Sequence, residues 1–521
     1  MAMATETIGH RYERLADTAL SRLATTRGFL AATSAYLAIA LALRVAIVPG
    51  MVTDDTEQLL HAQSLELGYE AKNPPLFTWL VWALQFPLGV GVLPGAVVRA
   101  TCLFTFYACL YAASRQALED RQLAVLAALS PVALWFVGWD AFLNYSHSVL
   151  VAACSAACLM LVLRVSRAPR VRDYILLGVA LGAGLLAKYN FVLFALALLG
   201  AAFLERGMRR RLFARPFILT ALMAIAIALP HWVWLLFHAS QLAANANSAL
   251  VPSTLPGPLD NLDAGRRALR AAWMFALPFL PLFVIVFAPA LLRRSKGFAQ
   301  ILGQRRFIVG ALVLFLLVLA ALAMLASLTE IRPNYMFAIA WLPLPAFLLL
   351  APDRVSRGRR RVYITTLMAL AASSIVALVI KGFFDPLFCT TRCRLHTPYR
   401  TYAAAVREAG FSGGTILSIS TPRNKPGENL LPYFPHSRLI SMNRSYYRPP
   451  ANDGPAPCLI VWDATRLPDT PAQLRQAQAG QAPLLPEDQP VHTIVAPMTY
   501  SRRPAMALGY AIVPADRAHC P

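Results

Sequence analysis

Charge is scarce in this chain. Only 14% of its 521 residues are Asp, Glu, Lys or Arg, against 57% hydrophobic residues, whereas about a quarter of a soluble domain is charged. That excludes an ordinary soluble protein and points to a polytopic membrane protein. Carboxylates are scarcer still, 26 against 48 basic residues, for a formal net charge of +22. The basic residues come in short runs between apolar segments, as in loops retained on the cytoplasmic side of a membrane, so no nucleic-acid partner is expected. Other absences narrow the reading further. There is no Walker or G-x-G-x-x-G motif to suggest a nucleotide, no repeat of fixed period, and no paired inverted repeat of the kind transporters carry. No tight cluster of His, Cys and carboxylates demands a metal, although a divalent cation is compatible with the chemistry below.

What abounds is apolar sequence of bilayer length, about 20 residues per crossing helix. Spans are expected at 29–48, 97–114, 122–138, 143–164, 173–187, 189–204, 215–236, 270–291, 307–327, 334–351 and 362–381, eleven crossings in all. The lead, residues 1–28, is too long and too late for a cleaved signal peptide, so the N-terminus is expected in the cytoplasm. Every second loop is basic, as at Arg164, Arg167, Arg170 and Arg172, or at Arg354, Arg357, Arg359, Arg360 and Arg361, which supports the count and marks those loops as cytoplasmic. The two segments flanking Lys188 are short for a bilayer and read either as two crossings or as a hairpin that does not fully cross.

Beyond Lys381 no further span follows. Residues 382–521 are expected to form a small extracytoplasmic α/β domain, with a helix at Tyr399–Ala409 and buried strands at Thr415–Ile419 and Cys458–Trp462. Its cysteines, Cys389, Cys393, Cys458 and Cys520, are even in number and suit an oxidising compartment, and a Cys389–Cys393 bridge would be local. Residues 29–381 would then be the transmembrane domain, with a first outward loop at 50–95.

That loop concentrates the chemistry. Asp54 followed by Glu57 has the spacing of a helix cap and its reciprocal partner. Three carboxylates, Asp54, Asp55 and Glu57, exceed what a cap needs, and their mutual repulsion would raise at least one pKa. If a helix starts here, Asp54, Gln58, His61 and Leu65 share one face, with Gln63 close by. Lys72, before Asn73-Pro74-Pro75, either snorkels or pairs with a phosphate. Further outward-facing candidates are Asp140, Asn144, Lys188, Tyr189, Arg332, Asn334 and Tyr335, since ionisable residues at helix ends on one side of a membrane often line one cavity.

The pattern D-D-x-E-Q-x-x-x-x-Q-x-L-x-L-G-Y from Asp54, followed by P-P-L-x-x-W-L, resembles the first periplasmic loop of GT-C glycosyltransferases of the protein-mannosyltransferase and aminoarabinose-transferase type. The likeness continues through Leu181–Tyr189, LGAGLLAKY, and Arg332-Pro333-Asn334-Tyr335. It implies a GT-C fold and transfer of a sugar from a polyprenyl-phosphate carrier to an extracytoplasmic acceptor. The family's essential carboxylate falls on Asp54, as general base, and Asp55 stands where many relatives have Glu. The chain departs at Glu70–Asn73, where an Asp-x-Pro-Pro or His-Pro-Pro arrangement is usual.

These residue types suit the reaction. A polyprenyl-phosphate sugar already carries a good leaving group, so the protein must position the acceptor oxygen, take its proton and stabilise the departing phosphate. Lys188, Arg332 and Lys72, with Tyr189, Asn334 and Tyr335, are the expected donor-binding residues. The expected partners are the lipid-linked donor, membrane lipids and a lipid or glycan acceptor. Lipid A or lipopolysaccharide core is favoured by the basic outward domain, protein O-glycosylation is the alternative, and a lipid-linked-sugar flippase is a third reading.

Overall fold

The computed structural model describes residues 2–241, 258–291, 302–326, 328, 330–389, 393–421, 424–444, 446–476 and 483–515. Cys520, one of the four cysteines of the expected extracytoplasmic domain, and the basic residues Arg293, Arg294 and Lys296 of a further expected cytoplasmic loop lie outside them. The chain is a polytopic α-helical membrane protein with a small α/β region, as expected, and it divides into two compact units. One comprises Met1–Ile39, Ala71–Leu76 and Arg99–Ile375; the other comprises Ala40–Glu70, Phe77–Val98 and Val376–Pro521.

The first twelve helices in chain order are α1 (Ala2–Leu23), α2 (Thr26–Ile47), α3 (Thr53–His61), α4 (Leu76–Leu88), α5 (Val92–Ala117), α6 (Arg121–Leu129), α7 (Trp135–Gly138), α8 (Ser146–Arg167), α9 (Val171–Leu185), α10 (Phe191–Leu204), α11 (Arg206–Leu212) and α12 (Phe217–Phe237). Among the described residues six helices are long and apolar enough to cross a membrane: α2, α5, α8, α12, Gly303–Leu325 and Arg357–Phe383. The pair α10 and α11, bent by 112°, counts as a seventh span if taken as one.

The remaining expected spans are built differently, and proline is the recurring reason. The stretch 122–138 is α6, a 3-10 turn starting at Ser130-Pro131, and the four-residue α7. The stretch 270–291 divides between Pro258–Ala276 and Phe279–Leu291, with Pro278 at the junction. The stretch 334–351 is a 3-10 segment, Pro333–Ile339, then a short helix at Pro343–Leu348. Proline lacks the N–H of the helical ladder and disfavours α geometry in the residue before it.

In the first unit α8 is the central helix, with 83% of its most apolar window buried, whereas α12 buries 28%. A helix apolar all round belongs in such an interior; α8 packs on α9, α10, α11 and the 3-10 segment. Helices α9 and α10 have 15 and 14 residues, so each spans roughly 22 Å, short of the ~30 Å hydrocarbon layer, as the hairpin reading requires. Their tight turn depends on Gly184: a Cβ there would collide with the ring of Phe191.

In the second unit a mixed sheet of order β2-β1-β3-β5-β4 is formed by β1 (Thr415–Ile419), β2 (Arg438–Ser441), β3 (Cys458–Asp463), β4 (His492–Ile494) and β5 (Leu508–Val513). β1 pairs in parallel with β2 and β3, and β5 is antiparallel to β3 and β4. Alternation sends Ile416, Leu459 and Val461 to one face and Leu417, Ile460 and Trp462 to the other, as the period of two dictates. The first face packs on the expected helix, observed at Tyr399–Glu408, and on Met51, Leu59, Leu60 and Tyr69. On the second, Trp462 lies where a Cβ at Gly509 would stand, so position 509 has room for glycine alone. Cys389 and Cys393 form the local disulfide, and Cys102, Cys109, Cys154 and Cys158 are free thiols.

Candidate active site

Helix α3 carries the acidic stretch. Its N-cap is Val52, in extended geometry and without a side-chain capping bond. Asp54 therefore lies inside the first turn, and the capping expectation is corrected: Asp54 and Asp55 complement the helix dipole there. The helix ends at His61, so the shared face stops short of Leu65, which is exposed.

The carboxylates do not confront one another as expected. Two of the three are neutralised by separate arginines. Asp55 Oδ2 accepts from Arg44 at 2.9 Å, with both side chains almost fully buried, and Arg44 also donates to the carbonyls of Val48 and Gly50. Glu57 Oε2 accepts from Arg444 at 2.8 Å. Burial opposes the charge of Arg444, but Glu57, with Tyr446 and Glu70 facing it, outweighs that and raises its pKa. Tyr446 donates to Glu70, and its own pKa is raised by burial and then by the Glu70 charge. Asp54 remains as the partly exposed carboxylate of this turn.

The other candidates on this loop hold structure together. His61 is buried, stacked on Tyr69 with ring centroids 5.2 Å apart and edge-on to Tyr447 at 5.3 Å; burial pushes the Tyr447 hydroxyl up to about 12. Gln58 accepts from Thr78 at 2.7 Å. Gln63 donates to the Leu439 carbonyl at 3.0 Å and accepts its N–H at 2.7 Å, pairing with the open edge of β2 as another strand would.

In the first unit the α9–α10 hairpin gathers a second set. Lys188 donates to Ser148 at 3.1 Å and its ammonium sits 5.0 Å above the ring centroid of Tyr335, within cation–π range. The hydroxyl of Tyr189 and Nε2 of buried His231 are 3.1 Å apart. Asn190 donates to the Tyr335 carbonyl at 2.8 Å, and His147 Nδ1 lies 3.2 Å from the Ala187 carbonyl. Lys188, Tyr189 and Tyr335 are thus brought together, joined by Ser148, His147 and His231. Of the remaining candidates, Arg332 is exposed and bonded to Glu330 at 2.6 Å, which raises its pKa. Asp140 accepts from Asn144 at 2.7 Å, Asn334 lies half-buried in the 3-10 segment, and Lys72 is exposed. Among the described residues no group of three His, Cys, Asp or Glu is placed to hold a metal.

Sequence reasoning missed Arg44, Arg444, Tyr446, Ser148 and His231. A single arginine inside an apolar span flags Arg44, and His231 in the run Leu229-Pro230-His231-Trp232 carries the same flag. Nothing local flags Arg444, which meets Glu57 across 387 positions.

Comparison with known proteins adds an independent line. The family model for dolichyl-phosphate-mannose-protein mannosyltransferases matches residues 72–234. The chain is 24% identical over 459 residues to the lipopolysaccharide core galacturonosyltransferase RgtB of Rhizobium johnstonii, covering 86% of this chain and 90% of that protein. It is 28% identical over 285 residues to RgtA of the same organism, a second lipopolysaccharide core galacturonosyltransferase, covering 55% and 56%. Its fold is similar to that of ArnT from Cupriavidus metallidurans bound to undecaprenyl phosphate, with a TM-score of 0.56 at 13% identity over 91% of this chain and 97% of that one. These matches and the helical architecture support a GT-C glycosyltransferase.

Proposed function

We propose that the enzyme moves a sugar from a polyprenyl-phosphate carrier to lipid A or the lipopolysaccharide core on the outer side of the bacterial inner membrane, with Asp54 as general base. The observation that carries the base assignment is the division of labour on α3. Asp55 and Glu57 are buried and bound to Arg44 and Arg444, whereas Asp54 is half-buried in the first turn. In the reaction the acceptor O–H gives its proton to the Asp54 carboxylate as its oxygen bonds to the anomeric carbon. The bond from that carbon to the phosphate oxygen breaks, and polyprenyl phosphate leaves with the electron pair. Asp55, held by Arg44, keeps the turn in place.

For the phosphate we assign Lys188 first, because its ammonium is prepositioned by Ser148 and Tyr335; Arg332, already neutralised by Glu330, ranks below it, as does Lys72. The acceptor class and a hexuronosyl donor sugar are supported by the similarity to the lipopolysaccharide core galacturonosyltransferases RgtA and RgtB, and the carrier by the lipid bound in the ArnT structure. In this reading residues 1–28 are cytoplasmic, 29–381 form the transmembrane domain and 382–521 are periplasmic. Protein O-glycosylation is the second reading, favoured by the protein-mannosyltransferase family match.

Mass spectrometry of envelope lipids and glycoproteins tests both. A deletion strain should lose one sugar-sized mass from its lipopolysaccharide, restored by wild type and not by Asp54→Asn, whose turnover should fall roughly a hundredfold to ten-thousandfold. Full restoration by the Asn variant removes Asp54 as base, and loss from a protein instead of a lipid selects the second reading.

A further inference from the structure

A cavity of about 390 Å³ lies in the first unit among α1, α2, α5, α6 and the Arg357–Phe383 helix, inside the roughly 300–1,000 Å³ range of ligand sites. The sequence leaves this gap. Gly28, Ala32 and Tyr36 share one face of α2, and Ile364, Met368 and Ala371 share one face of the Arg357–Phe383 helix, as the helical repeat dictates. Small side chains on both faces keep the helices from filling the space between them. Ala32 is exposed and Met368 is 52% exposed, so the gap opens sideways, where acyl chains surround a membrane helix.

Four polar side chains line the cavity, and two are engaged inside the protein. Thr33 donates to the Phe29 carbonyl at 2.9 Å and Tyr36 to the Gly138 carbonyl at 3.3 Å. Tyr107 differs: it is 2% exposed, and its hydroxyl has no hydrogen-bond partner among the described residues. A buried hydroxyl left so is rare in natural structures and marks a place where something else binds. Arg22, exposed at the end of α1, forms no ion pair among the described residues, and no Asp or Glu lines the cavity. The acidic residues of α1 do not offset it, because Glu13 and Asp17 are taken up by Arg361. The depths of the two groups are ordered. The Tyr111 hydroxyl reaches the Ala24 carbonyl in the α1–α2 turn at 3.3 Å, and Tyr107 lies about 6 Å further into the span, one turn along α5.

We propose that this cavity binds a glycerophospholipid of net negative charge, with one acyl chain in the gap, an ester carbonyl on the Tyr107 hydroxyl and the phosphate on Arg22. A guanidinium in the headgroup layer and a phenol one turn deeper match a phosphate and the ester carbonyl beneath it. The apolar walls match the chain, and the unbalanced cation selects an anionic head. The bound lipid ties α1, which packs on α6, to α2, α5 and the Arg357–Phe383 helix. This site is separate from the transfer chemistry and does not depend on it.

The test is native mass spectrometry of the full-length protein released from detergent micelles, titrated with dioleoyl phosphatidylglycerol or with zwitterionic dioleoyl phosphatidylcholine. The first phosphatidylglycerol should bind about tenfold more tightly than phosphatidylcholine, as one charge-assisted contact implies. Arg22→Gln should abolish that preference. Tyr107→Phe should weaken both lipids about fivefold, as loss of one hydrogen bond implies, and Ala32→Phe, which plugs the gap from an exposed position, should weaken both further. Equal affinity for the two lipids, a preference that survives Arg22→Gln, or unaltered binding in Tyr107→Phe or Ala32→Phe overturns the site. So does displacement of phosphatidylglycerol by equimolar undecaprenyl phosphate, which would give the cavity to the carrier. Without added lipid Tyr107→Phe should melt no lower than wild type, since it removes an unpaired hydroxyl; a lower midpoint would mean that the hydroxyl is bonded within the protein and would overturn its assignment to the lipid.

Discussion

Single residues here do separable jobs, and substitution should resolve them. Arg444 is held against Glu57 with both side chains largely buried. Removing one partner of such a pair strands a buried charge, at about 3–5 kcal/mol. Arg444→Ala should therefore lower the thermal midpoint of the detergent-purified protein sharply, and adding Glu57→Gln should recover part of the loss; additive losses would show that the two residues act independently. Lys188 has a different profile: its ammonium meets the Ser148 hydroxyl and the Tyr335 ring. Lys188→Ala should leave the midpoint within ~0.5 kcal/mol of wild type, as substitutions away from packed features do, while weakening donor binding; unaltered donor affinity would remove it as a phosphate ligand. His396 is fully buried, and burial lowers its pKa, with Asp385 opposing the shift. Because the unfolded chain then binds the proton more readily, this residue's effect is absent at high pH and destabilises the fold as pH drops through the unfolded value near 6.5. A His396→Gln variant should show a flatter melting-versus-pH curve below that point.

At the level of elements, the loop after α3 is fastened to the sheet through one side chain. Gln63 satisfies both backbone groups of Leu439 on the outer edge of β2. Gln63→Ala should cost about 1–3 kcal/mol and raise amide exchange at Leu439 above that of neighbouring β2 positions. Protection equal to wild type would mean that water or another group replaces it. The same scale explains where regular spans gave way. Prolines at 131, 278, 333, 343 and 345 stand inside or beside expected helices, and each forfeits a ladder bond. Hydropathy alone cannot register this, since proline runs such as Trp341–Pro345 stay apolar.

The second unit as a whole draws its core from distant parts of the chain. Met51, Leu59, Leu60 and Tyr69 lie in one buried cluster with Tyr402, Phe411, Ile416 and Leu459. A chain truncated after Lys381 should therefore leave the 50–70 segment without its packing partners and open to proteases; a protected segment in limited proteolysis would refute the shared core. What the sequence by itself determined is whatever depends on near neighbours: the long spans, the strands β1 and β3 and the helix at Tyr399, whereas the cysteine pairing and the depth of the segments around Lys188 stayed open. The signature around Asp54 also carried the resemblance to GT-C glycosyltransferases that the comparisons support. Only the tertiary structure decided that Asp55 and Glu57 pair with Arg44 and Arg444, that His61 and Gln63 serve as packing and pinning groups, and that Ser148 and His231 join Lys188 and Tyr189. The physical reason is that an ion pair or a hydrogen bond is set by distance in space, and the chain path from Glu57 to Arg444 leaves no trace in the residues around either one.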